Sequence, residues 1–236
     1  TTVFVNKDGR PAGSKSYMWL YRTVESVQKE QILLYEYQKT RNSNHPRTFL
    51  KSFHGICITD GYQVYHTLEQ EREDLQIAGC WAHVRRRYDE ALKALPKEKR
   101  NQSTAHRGLV MIQAIYRNEK PLKELSAEER RERRQLSVKP LVEAYFTWVH
   151  ATIGQVMPKS KLWEGLNYSI NQERYLKVFL ENGNVPIDNN ASERSIRSFC
   201  IGRKNFVMID TLHGAAASAI IYSIAETAKA NGLKPY

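Results

Sequence analysis

The amino-acid sequence predicts an α/β protein built on a mixed five-stranded sheet, with a helical insertion between the fifth strand and a later helix that carries a Glu. Three observations lead there. Strand-like alternation and turn residues prevail up to Cys80, helical spacing prevails from Pro96 to Pro186, and further helices follow Asn190. At 236 residues and 41% apolar composition the chain can bury a sizeable core, as one domain with a large insertion or as two.

The strands come first. Thr2 to Val5, a turn rich in Gly9, Pro11 and Gly13, and the alternating Tyr17-Met18-Trp19-Leu20-Tyr21 make a hairpin, and Gln31 to Tyr37 adds a third strand. His45-Pro46 restarts the chain into a short helix over Arg47 to Phe53, in which Phe49 and Phe53 share a face. The apolar run Gly55 to Thr59 is a buried strand ended by Asp60-Gly61. A short helix around Val64 to Leu68, a fifth strand from Leu75 to Cys80 and a helix from Ala82 to Leu95 complete the order βββαβαβα. That is the ribonuclease H order, so a ribonuclease H-like (retroviral integrase-like) core is expected.

Residues 96–186 read as a basic, all-helical insertion. Ser126 and Glu129 form a capping box, and Val142, Tyr145, Phe146, Val149 and Ile153 keep helical spacing. Pro140 begins a helix or kinks one, and a helix from Asn171 to Glu181 stops at Asn182-Gly183. Another helix starts near Asn190, and the last runs from Gly214 to Ala230, opening on small side chains suited to packing on a sheet. The expected domains are therefore 1–95 as the first part of the core, 96–186 as the insertion, and 187–236 as the core's final helices.

A formal net charge of +11 points to a polyanionic partner. Residues 84 to 140 hold 16 Lys and Arg against 8 Asp and Glu, whereas residues 1 to 83 hold 10 against 9, so the excess sits in a helical segment. Cys57, Cys80 and Cys200 cannot pair completely, which suits a reducing cytoplasm, and no long apolar stretch announces a membrane span. The first residue, Thr1, is already strand-like and is no initiator Met, so a longer parent sequence is expected.

Asp60 closes a strand, and Glu193 lies far downstream in Asp188-Asn189-Asn190-Ala191-Ser192-Glu193-Arg194. A ribonuclease H sheet presents carboxylates at these two places, and a polynucleotidyl transferase uses such carboxylates to hold two metal ions. Each also has a plainer role: Asp60 can head an Asp-Gly turn, and Glu193 can complete a cap begun by Asn190. Arg194, Arg197, Arg203 and Lys204, like Arg85, Arg86 and Arg87, are solvated helix faces or phosphate contacts. Cys80 and His83 have C-x-x-H spacing without a second ligand pair, so they read as a packing or hydrogen-bonding pair near the site rather than a zinc site.

In these blocks the chain resembles the catalytic core of transposases of the insertion sequence 66 family, which are bacterial DDE transposases. The resemblance covers essentially the whole chain. It rests on Ser16 to Arg22, Thr59-Asp60-Gly61-Tyr62, Gly79 to Arg86, Asp188 to Arg194, Ile201 to Asn205 and Tyr222 to Leu233. It implies Asp60 as the second acidic ligand and Glu193 as the third. The first, in a D-E-T motif, would fall just before Thr1, so this piece alone is expected to be inactive. Asp8 is no substitute, because Asp8-Gly9 belongs to the hairpin turn.

The resemblance further implies two Mg2+ (or Mn2+) ions, DNA as partner through both transposon ends and target, a homo-oligomer on DNA, no membrane, and a cytoplasmic, nucleoid-associated location. Two rivals stay open: a ribonuclease H-like nuclease or resolvase without strand transfer, and a catalytically incomplete DNA-binding fragment.

Overall fold

The computed structural model describes residues 1–11, 13–25, 27 and 29–235, and its fold is α/β. Contacts divide the chain into two compact units, Thr1–Phe53 with Asn190–Tyr236, and His54–Asn189. The element order through residue 93 is the expected βββαβαβα.

In the first unit β1 (Thr2–Lys7), β2 (Lys15–Arg22) and β3 (Leu33–Gln38) form an antiparallel meander, with Thr2 opposite Tyr17 and Met18 opposite Tyr37. Alternation decides which side is buried: Val3, Val5 and Met18 enter the core and Phe4 faces out. Helix α1 (Asn44–Phe49) is shorter than predicted. It ends at Phe49, which stacks on Tyr21 at 3.6 Å between ring centroids, so Phe53 lies beyond the helix rather than on a shared face.

The second unit holds β4 (Gly55–Ile58), α2 (Gln63–Gln70), β5 (Leu75–Ala78) and α3 (Trp81–Lys93), with β4 and β5 paired in parallel from Gly55↔Leu75 to Ile58↔Ala78. It continues through α4 (Thr104–Glu119), α5 (Ala127–Arg133), α6 (Lys139–Ile153) and α7 (Lys161–Glu181). Its core gathers Trp81, Tyr88, Ile112, Tyr145, Phe146 and Phe179. The capping box forms as expected: the Ser126 hydroxyl accepts the Glu129 N–H while the Glu129 carboxylate accepts the Ser126 N–H. A π-helical turn, Arg134–Val138, precedes α6, with Pro140 as that helix's second residue. Helix α7 starts ten residues earlier than predicted, capped by Ser160, whose hydroxyl accepts the Trp163 N–H.

The chain returns to the first unit with α8 (Asn190–Phe206), β6 (Ile209–Thr211) and α9 (Leu212–Ala230). Strand β6, which the sequence did not announce, pairs in parallel with β1 through Val5↔Ile209 and Lys7↔Thr211. The described strands thus form a four-stranded sheet, β3-β2-β1-β6, and a separate pair, β4-β5, rather than one hydrogen-bonded five-stranded sheet. The physical reason lies at β1: one edge is taken by β2 and the other by β6.

The outer edge of β3 is closed by a helix rather than a strand. Ser223 Oγ accepts the Tyr35 N–H at 2.8 Å, Thr227 Oγ1 accepts the Leu33 N–H and donates to the Leu33 carbonyl, and the Asn231 amide does both to Gln31. The match is one of spacing. Four helical residues rise about 6 Å, close to the roughly 6.6 Å of two strand residues. A polar stripe at every fourth position of α9 therefore meets every second residue of the edge. Thr227→Val keeps the shape but leaves two backbone groups of Leu33 without this partner, so it is expected to cost about 1–3 kcal/mol in urea denaturation.

Among the described residues no helix is long and apolar enough to cross a membrane.

Candidate functional site

Strand β4 ends at Ile58, and Thr59-Asp60-Gly61 turns away from the carboxyl end of the parallel pair. Asp60 is exposed; its Oδ1 accepts the Tyr62 N–H at 3.2 Å, and its main-chain carbonyl accepts the Tyr168 hydroxyl at 3.0 Å. Oδ2 accepts no hydrogen bond from the described residues. The plain reading of Asp60 as head of an Asx turn is therefore correct, and it leaves one carboxylate oxygen available. Gly61 has φ +81°, where an L side chain would be strained, and a Cβ there would stand 2.9 Å from Gln172 Oε1.

The second turn, after β5, rests on the same helix. The Gly79 N–H donates to the Tyr175 carbonyl at 2.8 Å, and Trp81 Nε1 donates to the Leu176 carbonyl at 2.9 Å. Cys80 is buried, and its Sγ accepts the Asn189 N–H at 3.2 Å. Two more bonds hold the same downstream segment: the Trp81 N–H to the Ile187 carbonyl at 3.2 Å, and the Tyr116 hydroxyl to Asp188 Oδ2 at 2.9 Å. Asn189 is the last residue of this unit, so these bonds fix the unit's closing segment.

Burial pushes the Cys80 thiol up to about 11, against an ordinary value of 9.0. The folded state holds this proton longer than the unfolded state, so the stability it contributes is complete below about pH 9 and is lost as pH rises toward 11. Of the three cysteines, Cys57 and Cys80 are expected to react more slowly with a thiol reagent than the half-buried Cys200 in the native protein, because burial pushes their thiols up to about 12 and about 11. Stopped-flow labelling of single-cysteine variants checks this; a fast Cys80 would contradict the burial.

In the other unit Glu193 is half-buried in the first turn of α8. The helix is held, one turn further on, from β2 and β3: Arg22 Nη1 donates to Ser195 Oγ at 3.0 Å, and the Tyr35 hydroxyl donates to the Ser195 carbonyl at 2.6 Å. Arg194, Arg197 and Lys204 are exposed. Arg203 is engaged within its own unit, donating to the Thr2 carbonyl and to the Thr1 and Thr2 hydroxyls. Arg85 and Arg86 are exposed on α3, and the Arg87 guanidinium lies 4.2 Å from the Tyr168 ring centroid. Asp8 is buried and bound by Arg10, which holds its carboxyl below the usual range, in keeping with a turn role.

The sequence did not single out Tyr168, Gln172 or Tyr116. Their roles come from contacts made across the fold, and no local spacing marks them.

No group of three or more His, Cys, Asp and Glu side chains among the described residues is placed to hold a metal ion. By donor chemistry Asp60 fits a divalent ion, offering an exposed hard oxygen beside an ordered turn.

Comparison with known families places the chain among transposases. A family model described as Transposase IS66 family matches residues 1–217, and the chain belongs to that family. Among curated proteins it is similar to the uncharacterized protein y4qI of Sinorhizobium fredii (strain NBRC 101917 / NGR234), 28% identical over 245 residues, covering 100% of this chain and 44% of the relative. It is also similar to the uncharacterized protein y4jD of the same organism, 27% identical over 207 residues, covering 86% of this chain and 40% of that protein. The chain thus spans less than half the length of these relatives. No solved structure matches.

Proposed function

We propose that this chain is the catalytic part of a DDE transposase that cuts DNA strands and joins them to a target by metal-assisted phosphoryl transfer. The observation that carries the reading is Asp60: an exposed carboxylate with a free oxygen, on an ordered turn at a strand's end, in a chain that a transposase family model matches over 1–217. In this reading Asp60 and Glu193, with a further carboxylate that the family resemblance puts ahead of Thr1, hold a pair of Mg2+ or Mn2+ ions. Such ions, when bound, activate the attacking oxygen and stabilise the leaving one.

The protein's own part is to aim its carboxylates and to retain the polyanion. Arg85, Arg86, Arg87, Arg194, Arg197 and Lys204 contact phosphates, with Arg203 a weaker candidate because its guanidinium already ties α8 to the start of β1. Cys80 and His83 act near the site; Cys80 does so by mooring Asn189. The core is read as ribonuclease H-like, formed by 1–95 and 187–236 around the insertion 96–186. The order βββαβαβα, the antiparallel meander and the parallel β4-β5 pair support it. The DNA partners are the element's ends and a target, met by a homo-oligomer in the bacterial cytoplasm.

The test is strand transfer by the full-length protein. Supplied with DNA carrying the element's ends and a supercoiled target, it is expected to give nicked and joined products with Mg2+ and none with a chelator. Cutting without joining would favour a nuclease; neither activity with any divalent ion would overturn the reading. Arg85→Ala and Arg86→Ala are each expected to weaken DNA binding across sequences and to lower the slope of log affinity against log salt by about 1. Fluorescence anisotropy at several salt concentrations measures that slope.

A further inference from the structure

Helix α7 lies in the stretch assigned from sequence to an all-helical insertion, and its side chains hold the turn that carries Asp60. Tyr168 donates its hydroxyl to the Asp60 carbonyl at 3.0 Å, and a Cβ on Gly61 would meet Tyr168 Oη at 3.0 Å and Gln172 Oε1 at 2.9 Å. At φ +81° a side chain on residue 61 would be strained, and its Cβ would press on the ends of both Tyr168 and Gln172. The phenol is held in turn by the Arg87 guanidinium over its ring. Two links therefore run in series, from Arg87 to Tyr168 and from Tyr168 to the main chain of Asp60.

The geometry points to Tyr168 as a positioning residue for Asp60. By fixing the Asp60 carbonyl it sets the plane of the Asp60–Gly61 peptide, and with it the direction in which the carboxylate leaves the turn. A phenol suits this task, since a rigid ring places one directional donor. The same helix receives the Gly79 N–H and Trp81 Nε1 on its Tyr175 and Leu176 carbonyls. One helix thereby holds both turns that leave the carboxyl ends of β4 and β5. The helical insertion, whose basic excess lies in residues 84–140 ahead of α7, thus also supplies a platform for the carboxylate. This inference rests on the proposed role of Asp60 as a metal ligand.

The experiment compares full-length wild type, Tyr168→Phe and Asp60→Asn. Tyr168→Phe keeps the ring beneath Arg87 and deletes only the donor. Two quantities are read: Mn2+ binding without DNA, from the free-ion electron paramagnetic resonance signal, and the Mg2+ concentration giving half-maximal strand cleavage. In Tyr168→Phe both are expected to shift to higher ion concentration by about 10-fold or more, the scale for groups that orient a metal ligand. DNA affinity in metal-free buffer stays at the wild-type value. Arg87→Met should shift Mn2+ binding in the same direction by less. If Asp60→Asn has lost Mn2+ binding while Tyr168→Phe stays within twofold of wild type, the positioning role is overturned and the proposed function stands. If Asp60→Asn binds Mn2+ and cleaves as wild type does, the reading of Asp60 itself has failed.

Discussion

Arg134→Ala is expected to destabilise the His54–Asn189 unit by about 3–5 kcal/mol, a large share of the stability of any single domain. The Arg134 side chain is 1% exposed and that of its partner Glu119 is 7% exposed. The guanidinium donates Nε to Glu119 Oε2 at 3.1 Å and Nη1 to the Phe179 and Asn182 carbonyls at 2.6 and 2.9 Å, and it lies over the Phe179 ring. One side chain thus neutralises a buried carboxylate and satisfies carbonyls in the last turn of α7, where intrahelical donors run out. Truncation leaves Glu119 charged in the core and those carbonyls bare. The cost comes from the stranded groups and not from the worth of the pair, so Glu119→Leu with Arg134→Met is expected to recover most of the loss. Urea denaturation of the single and double variants separates the two accounts. A single variant within about 1 kcal/mol of wild type would contradict a buried, uncompensated carboxylate.

That arginine also shows how far sequence alone could reach. The basic excess of residues 84–140 is visible in composition, but composition has no direction. Arg134 points into the core, and Arg130 donates to the carbonyls of Leu122, Lys123, Leu125 and Gly183, so part of the charge counted toward DNA holds the fold together. The order βββαβαβα was legible because period-two and period-3.6 patterns are local. Strand pairing was not. β6 is three residues long, too short to show alternation, and its place beside β1 is set by tertiary contact. The early start of α7 was hidden by Gly165, which weakens a helical reading although the helix passes through it. At the candidate site Asp60 was legible from its place after a strand. Tyr168 was not, because it lies 108 residues away and reaches the turn only through the fold.

Asp60→Asn is expected to lower strand cleavage by the full-length protein by about 10²–10³-fold or more, the scale for losing a preorganised group at the reacting centre. The substitution is informative because it separates the residue's two roles. Asparagine keeps an oxygen in the place of Oδ1, so the bond from the Tyr62 N–H and the turn through Gly61 survive. The Asp60 carbonyl still receives the Tyr168 hydroxyl. Stability should therefore stay within about 0.5 kcal/mol of wild type, as for surface changes that break no local feature. Removing one negative charge from a basic chain does not weaken its hold on DNA, so metal-free binding should be equal or tighter. What is lost is the anionic oxygen, and a neutral amide is a poor ligand for a hard divalent ion. Melting temperature, DNA affinity and cleavage rate measured on one preparation decide the matter. A cold cleavage assay with the first two intact identifies Asp60 as part of the chemistry. Cleavage within a few-fold of wild type would mean that Asp60 does no more than make the turn, and that the proposed metal-binding carboxylates must be sought elsewhere.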